Sequence, residues 1–322
     1  MSTLASPILE DLFKVHERFV WGLCYRMTGS AADADDLLQE TFVRVMEHPP
    51  ARTDEPWRPW LVRVAMNLGR DLLRRRKRRT YVGPWLPAPI ETGDEASPPS
   101  FEPTLAGEQT TEGRYDLLES VSFAFLLALE VLTPQQRAVL LLRDVFDYSV
   151  RETSDALGMS EPNVKTTHHR ARRAMHAYDR NRCVPTRALQ ERTREVLGQF
   201  MTSLLSGDVA SIEAMLADSV SALSDGGGEF FAARKPLVGR DRVTQFHWNI
   251  WRRRMPTARF EARMINGLPA LVGEMPTGKP GEPPRIVFLC DLTPDGRVAC
   301  VYSVVATRKL SAISFAALAA NA

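Results

Sequence analysis

No stretch of this chain reaches the roughly 18 uninterrupted apolar residues a membrane-crossing helix needs, and Glu10 and Asp11 stand where a secretory leader would be apolar. The expectation is a cytoplasmic protein with no membrane partner. Cysteine is scarce. The four, Cys24, Cys183, Cys290 and Cys300, form no CxxC pair and have no histidine at metal-ligand spacing, which argues against zinc and leaves no cofactor or metal to expect. Cys290 and Cys300 flank the turn Pro294-Asp295-Gly296 and could face each other across a hairpin. Free buried thiols are the favoured reading, because disulfides are rare in reducing compartments. A global charge excess is also missing, the net charge being +2, so any polyanion partner has to be recognised through local clusters.

The composition is otherwise that of a folded chain, 44% apolar and 25% charged, and 322 residues exceed what one core usually serves. Two or three domains are expected. From Ile8 onward Leu9, Leu12, Phe13, Val20, Leu23 and Met27 recur near a 3.6-residue period until Gly29-Ser30 interrupts them. Ser30 is a plausible cap for a second helix, with Asp33, Asp35 and Asp36 early and an apolar stripe of Leu38, Phe42, Val45 and Met46. A polar connector with Thr53, Asp54 and Glu55 leads to a long helix from Trp60 to Arg79 that ends in a basic run.

Residues 80–114 are rich in proline and acids, from Pro84, Pro87 and Pro89 to Pro98, Pro99 and Pro103, and read as a linker. Helices resume over Tyr115 to Leu132 and Pro134 to Val145, followed by a tight pair, Val150 to Leu157 and Ser160 to about Tyr178. After Pro185 two helices, Ala188 to Leu205 and Ala210 to Leu216, precede a region of strand signals. Asn266-Gly267 and Pro294-Asp295-Gly296 each sit between apolar runs and mark hairpins. A curved antiparallel sheet packed on helices is expected.

The most specific local signal is Val150 to Ala174, VRETSDALGMSEPNVKTTHHRARRA, whose two short amphipathic helices around Gly158 have helix-turn-helix spacing. Val150, Thr153, Ala156, Leu157, Val164, Ala171 and Met175 face inward, with Ser160 as cap and Pro162 tolerated in the first turn. Ser160, Asn163, Lys165, Thr166, His168, His169, Arg172 and Arg173 then offer donors to phosphates and base edges. The competing reading is a solvated charged helix. In the earlier basic helix, Arg63, Arg70, Arg74, Arg75 and Arg78 supply charge, while Trp57 and Asn67 add stacking and amide hydrogen bonding suited to exposed bases. Trp60 is assigned to packing.

Three segments, DADDLLQETFVRVM, PWLVRVAMNLGRDLLRRRKR and LTPQQRAVLLLRDVFDYSVRETSDALGMSEPNVKTTHHRARRAM, resemble regions two and four of extracytoplasmic-function sigma factors in family order. The resemblance implies two all-α domains, residues 8–79 and 115–183, that direct promoter-specific initiation. Core RNA polymerase, through its β′ clamp and β flap, and promoter DNA are the implied partners. Asp36, Gln39, Glu40 and Val43 would meet the clamp, Trp57 to Arg79 would hold the opened minus-ten element, and the helix from Ser160 would read the minus-thirty-five duplex.

Trp85-Leu86-Pro87-Ala88-Pro89 and Asp225-Gly226-Gly227-Gly228 resemble the WLPEP-like and glycine motifs of the sigma subgroup with a fused SnoaL-like, or NTF2-like, α+β cone domain. Ala88 replaces an acid, Glu229 follows the glycines where lysine is usual, and the terminal motif survives only as Ala306-Thr307-Arg308-Lys309-Leu310. The fusion suggests that residues 186–322 tune the rest by contacting the linker or the first domain; glycines at a strand end permit close backbone approach, so Asp225 to Gly228 either meet Trp85, Leu86 and Pro87 or form a simple loop. A small-molecule ligand or protein partner of this domain is left open. The alternatives are a helix-turn-helix regulator and a cone-fold enzyme tethered to a DNA-binding module. For the enzyme, Asp225, Glu229, His247 and Asp291 would have to converge, whereas Phe230, Phe231, Trp248 and Trp251 complete a core or line a pocket. No enzymatic activity is expected.

Overall fold

The computed structural model describes residues 6–49, 56–76, 81–93, 114–254, 258–275 and 280–315. Arg78, the connector at 53–55 and linker residues 94–113 lie outside them. Two compact units form, one from residues 1–79 and 93–182, the other from residues 80–92 and 183–322. The two expected helical domains therefore share one unit, and the first part of the expected linker belongs to the other.

In the helical unit, α1 (Ser6–Thr28) packs on α2 (Ala31–Glu47) and α3 (Trp57–Arg76). Ser30 caps α2, its hydroxyl accepting from the Asp33 amide at 3.2 Å, an arrangement that stabilises a helix by about 1 kcal/mol. The buried stripe of α2 is Ala34, Leu37, Thr41, Phe42 and Val45, with Leu38 half-buried and Met46 exposed. The expected stripe was thus displaced by one residue at each end. α3 begins three residues earlier than expected, taking in Trp57 and carrying Pro59 in its first turn, where no intrahelical bond is lost. Tyr115 to Leu132 is a broken segment, with α4 (Phe123–Ala128) capped by Ser122. It leads to α5 (Pro134–Leu140), which continues through a π-helical turn, Leu141–Val145. α6 (Val150–Leu157), α7 (Glu161–Ala174) and the short α8 (His176–Arg180) complete the unit.

Arginines close this unit by taking the carbonyls that a helix end leaves unpaired. At the end of α1, Arg137 donates to Met27 O at 3.0 Å and Arg76 to Thr28 O at 2.8 Å, while the fully buried Arg26, which also donates to Gly22 O within the helix, ties α1 to the following segment through Leu117 O and Ser120 Oγ. Arg70 does the same for α6, reaching Leu157 O at 3.2 Å.

The second unit starts with α9 (Arg187–Ser206) and α10 (Val209–Met215), close to expectation. Strands β1 (Leu216–Asp225) and β2 (Leu237–Val238) precede α11 (Arg240–Arg254). β3 (Arg259–Ile265), β4 (Leu268–Glu274), β5 (Arg285–Leu292) and β6 (Val298–Val304) follow. The sheet order is β2-β1-β6-β5-β4-β3. Both expected hairpins are present, β3–β4 on Asn266-Gly267 and β5–β6 on Pro294-Asp295-Gly296. The sheet is mixed, however, because β1 runs parallel to β6. A parallel neighbour needs a long crossover, and here the whole of β2 to β5 supplies it. One sheet face packs on the helices around Phe200, Trp251, Leu271, Phe288 and Val301.

Cys290 and Cys300 are free thiols, and the register pairs them with Val301 and Asp291 instead of with each other. Burial pushes the Asp291 carboxyl up to about 6, although the Tyr302 hydroxyl donates to it at 2.5 Å. Because the folded value lies above the unfolded one, the folded chain retains a proton that the unfolded chain has released between about pH 4 and 6. Stability from this group is therefore greatest below that window and is lost as pH rises through it. Asp291→Asn should flatten the fall in Tm of the second unit between pH 4.5 and 7.5 and raise it at the higher pH, at about 2–4 °C per kcal/mol for a unit of that size. An unchanged pH dependence in calorimetry would refute the assignment.

Candidate nucleic-acid interface and linker clamp

The helix-turn-helix is set by local signals at each end of its turn. Ser149 and Glu152 form a reciprocal capping box, the Glu152 amide donating to Ser149 Oγ at 3.1 Å and the Ser149 amide to Glu152 Oε2 at 2.7 Å. Gly158 ends α6 in the left-handed region (φ 62°), which a β-carbon disfavours. Ser160 occupies the cap position of α7 with extended backbone, but its side chain makes no cap hydrogen bond there. Val164, Thr167 and Ala171 turn inward. Ser160, Asn163, Lys165, Thr166, His169 and Arg173 are exposed on the outer side, joined by Arg170, which charge counting had passed over.

Two of the expected DNA-facing residues are engaged elsewhere. Asp144, in the π-helical turn, is 1% exposed, and His168 Nε2 lies 2.8 Å from its Oδ2. Arg172 forks onto the same carboxylate, through Nε at 3.1 Å and Nη2 at 2.5 Å. Burial alone would raise the Asp144 carboxyl, but the hydrogen bonds and charges of His168 and Arg172 outweigh it and hold it below its ordinary value. The trio fixes α7 on its support.

On α3, Arg63, Arg74 and Arg75 are exposed and Asn67 is half-buried. Arg74 pairs with Asp71 at 2.9 Å, and Arg70 is committed to Leu157. Trp57 and Trp60 are both half-buried and meet edge to face, 6.5 Å between centroids. On α2, Asp36, Gln39, Glu40 and Val43 are all exposed at spacings that place them on one face, which Met46 extends.

In the second unit residues 81–92 form a strap bound at both ends. Asp225, fully buried at the end of β1, accepts from the Tyr81 hydroxyl (2.6 Å) and Gly227 amide (3.0 Å) at Oδ1. Its Oδ2 takes the Leu86 amide (2.8 Å) and Lys309 Nζ (2.5 Å). Lys309 also donates to Leu86 O, and its ammonium lies 4.4 Å from the Trp85 ring centroid and 5.0 Å from that of Tyr81. At the far end Ile90 exchanges hydrogen bonds with Asn266, and the Thr92 hydroxyl accepts from the Gly267 amide at 2.9 Å.

Between the ends Leu86, Ala88 and Ile90 are buried. Each large apolar side chain so covered contributes about 1.5–3 kcal/mol before ordering costs. Ala88 stands where the resembled motif has an acid, and a carboxylate at that buried place would need partners of its own. The glycines shape the Asp225 end: a β-carbon on Gly227 would sit 2.9 Å from Ala306 Cβ, with φ at 60°, and one on Gly226 would sit 2.5 Å from Phe230 O. The expected regulatory set, Trp85, Leu86, Pro87, Asp225, Gly226, Gly227 and Gly228, thus gathers in one place. Tyr81 and Lys309 were missed as members of it. The only hint of Lys309 was the weakened motif Ala306 to Leu310.

The four acid/base candidates do not converge. Asp225 is in the clamp, Glu229 accepts from the Thr307 amide at 3.2 Å, Asp291 meets Tyr302, and of the four His247 alone lines the cavity between sheet and helices.

Comparison with known proteins agrees with this division. The Sigma-70 region 2 model matches residues 12–79 and the Sigma-70, region 4 model residues 122–175. The chain is 29% identical to the ECF RNA polymerase sigma factor SigJ of Mycobacterium tuberculosis, covering 91% of this chain and 90% of that one. It is 30% identical to SigL of the same organism, over 53% of this chain and 88% of the relative. The crystal structure of M. tuberculosis SigJ superposes with a TM-score of 0.71 at 25% identity, covering 94% of this chain and 98% of that one. With both DNA-binding regions matched in order, and a helix-plus-sheet domain following them, the chain belongs to the ECF RNA polymerase sigma factors and serves promoter-specific transcription initiation.

Proposed function

We propose that initiation by this sigma factor is restrained by its own C-terminal domain, which holds the segment between its two DNA-binding regions on Asp225. The observation that carries this reading is the buried bond from the Leu86 amide to Asp225, sealed by Lys309. In chain order the strap follows the helix proposed to hold the melted minus-ten strand, with Trp57, Arg63, Asn67, Arg70, Arg74, Arg75 and Arg78, and precedes the helix proposed to read the minus-thirty-five duplex. Polymerase, engaged through Asp36, Gln39, Glu40 and Val43, would compete for it.

Distance argues in the same direction. Elements 25 base pairs apart are separated by about 85 Å of duplex at 3.4 Å per step. A compact body the size of the helical unit is about 40 Å across. The unit therefore opens on the promoter, and the Arg70 to Leu157 bond is among those that break. A catalytic reading is not favoured, since the candidate carboxylates lie apart from His247.

Asp225→Leu with Lys309→Met removes both charges together, so that neither is left buried and alone. In transcription reconstituted with core polymerase this double variant should raise promoter-dependent product several-fold, and unchanged product would sink the proposal. Spin labels at residues 63 and 169 should separate by tens of ångströms when polymerase and promoter DNA are added; a constant distance would count against opening. Lys165→Ala should weaken promoter binding and lower the salt slope by about 1 without changing Tm. Arg172→Ala should instead lower Tm through the loss of an Asp144 partner, and the reverse pattern would reassign the two.

A further inference from the structure

We propose that the cavity of the C-terminal domain binds an uncharged, largely apolar small molecule that donates one hydrogen bond, a phenol or an alcohol, to Nε2 of His247. The cavity measures about 1030 Å³, large enough for a multi-ring or long-chain compound. Phe200, Phe246, Trp251, Phe260 and Phe288 supply most of its aromatic wall.

Within that wall His247 is the exception. The residue is 9% exposed, and its ring stands edge-on to Phe246, Phe288 and Phe200 at centroid distances of 5.3, 5.6 and 6.2 Å. Nδ1 lies 2.8 Å from the Val243 carbonyl of the preceding helical turn. A carbonyl only accepts, so Nδ1 carries the proton and Nε2 presents a lone pair. That Nε2 is buried from the cavity as well as from solvent and has no hydrogen-bond partner, so a donor reaches it when the ring turns or a wall side chain shifts. A buried acceptor left unpaired is costly, and native structures rarely keep one without use.

The chemistry of the missing partner follows from its surroundings. Burial pulls the imidazole down to about 4, so at neutral pH it is an acceptor without charge. A carboxylate has no proton to give it, and an ammonium would bring an uncompensated charge among aromatic rings. A neutral hydroxyl on an apolar frame satisfies both conditions. Ser224 and Ser303, paired across β1 and β6, also line the cavity and offer a second polar contact.

The test compares two probes of like shape, 1-naphthol and 1-methylnaphthalene, titrated calorimetrically into the full chain. Methylnaphthalene is the more apolar, so hydrophobic transfer alone favours it. The proposal requires naphthol to bind at least about tenfold more tightly, because the probe without a donor leaves Nε2 unpaired. His247→Leu should abolish that preference while still binding methylnaphthalene. Should that variant fail to fold, the ¹⁵N resonance of Nε2 in the unaltered chain gives the same answer. It should move on saturation with naphthol and stay in place with methylnaphthalene. Equal affinities in the unaltered chain, no binding of either probe, or a stationary Nε2 resonance would each overturn the assignment.

Discussion

A carboxylate removed from water must find every hydrogen-bond donor inside the protein, and Asp225 finds them in segments far apart in sequence. The Tyr81 hydroxyl and Leu86 amide come from the strap, the Gly227 amide from the adjoining turn, and the Lys309 ammonium from a point more than eighty residues away. Each depends on the others. Without the tight Gly226-Gly227 turn the backbone amide does not reach Oδ1, and without Lys309 the charge is unpaired. Opposite charges buried together add little net stability, because desolvation offsets their attraction. Here they hold a strap laid in one register, with Leu86, Ala88 and Ile90 covered.

The helical unit follows a different rule, in which guanidinium groups terminate helices. Arg76 and Arg137 converge on the carbonyls at the end of α1, and Arg70 on the end of α6. Arginine suits the task because its planar fork bonds several acceptors at once and stays charged when enclosed. The same residue type thus closes the resting unit and, on exposed faces, is available to phosphates. Which role an arginine plays is decided by whether a helix end or a buried acid lies within its reach.

What could be read from the sequence was local. The Ser30 cap, the turn around Gly158, the Asn266-Gly267 hairpin and the two basic helices each depend on residues within a few positions of one another. The outer face of α2 came from the family resemblance, which implied Asp36, Gln39, Glu40 and Val43, and their helical spacing agrees with it. Long-range choices were not. Nothing in β1 or β6 taken singly announces that they pair in parallel, and α11, rich in arginine and bearing His247, lacks a clean apolar stripe. His168 and Arg172 read as DNA contacts because charge on a recognition helix looks outward until a buried acid such as Asp144 is found beneath it. Lys309 was hidden for the same reason: its partner is chosen by the fold, not by its neighbours.

Pro87 and Pro89 in the middle of the strap have no amide hydrogen to offer the sheet. A segment held by a continuous ladder would have to be peeled away bond by bond, whereas two residues of this one can donate no ladder bond at all. If the strap is released as proposed, its docking is an intramolecular equilibrium, set by an effective concentration that tether length determines, in the millimolar range for short flexible connections. Dilution therefore does not open it. The balance is shifted instead by whatever competes for Leu86 or disturbs Asp225, which makes the strap's position a ratio of two affinities and not a function of how much of the protein a cell contains.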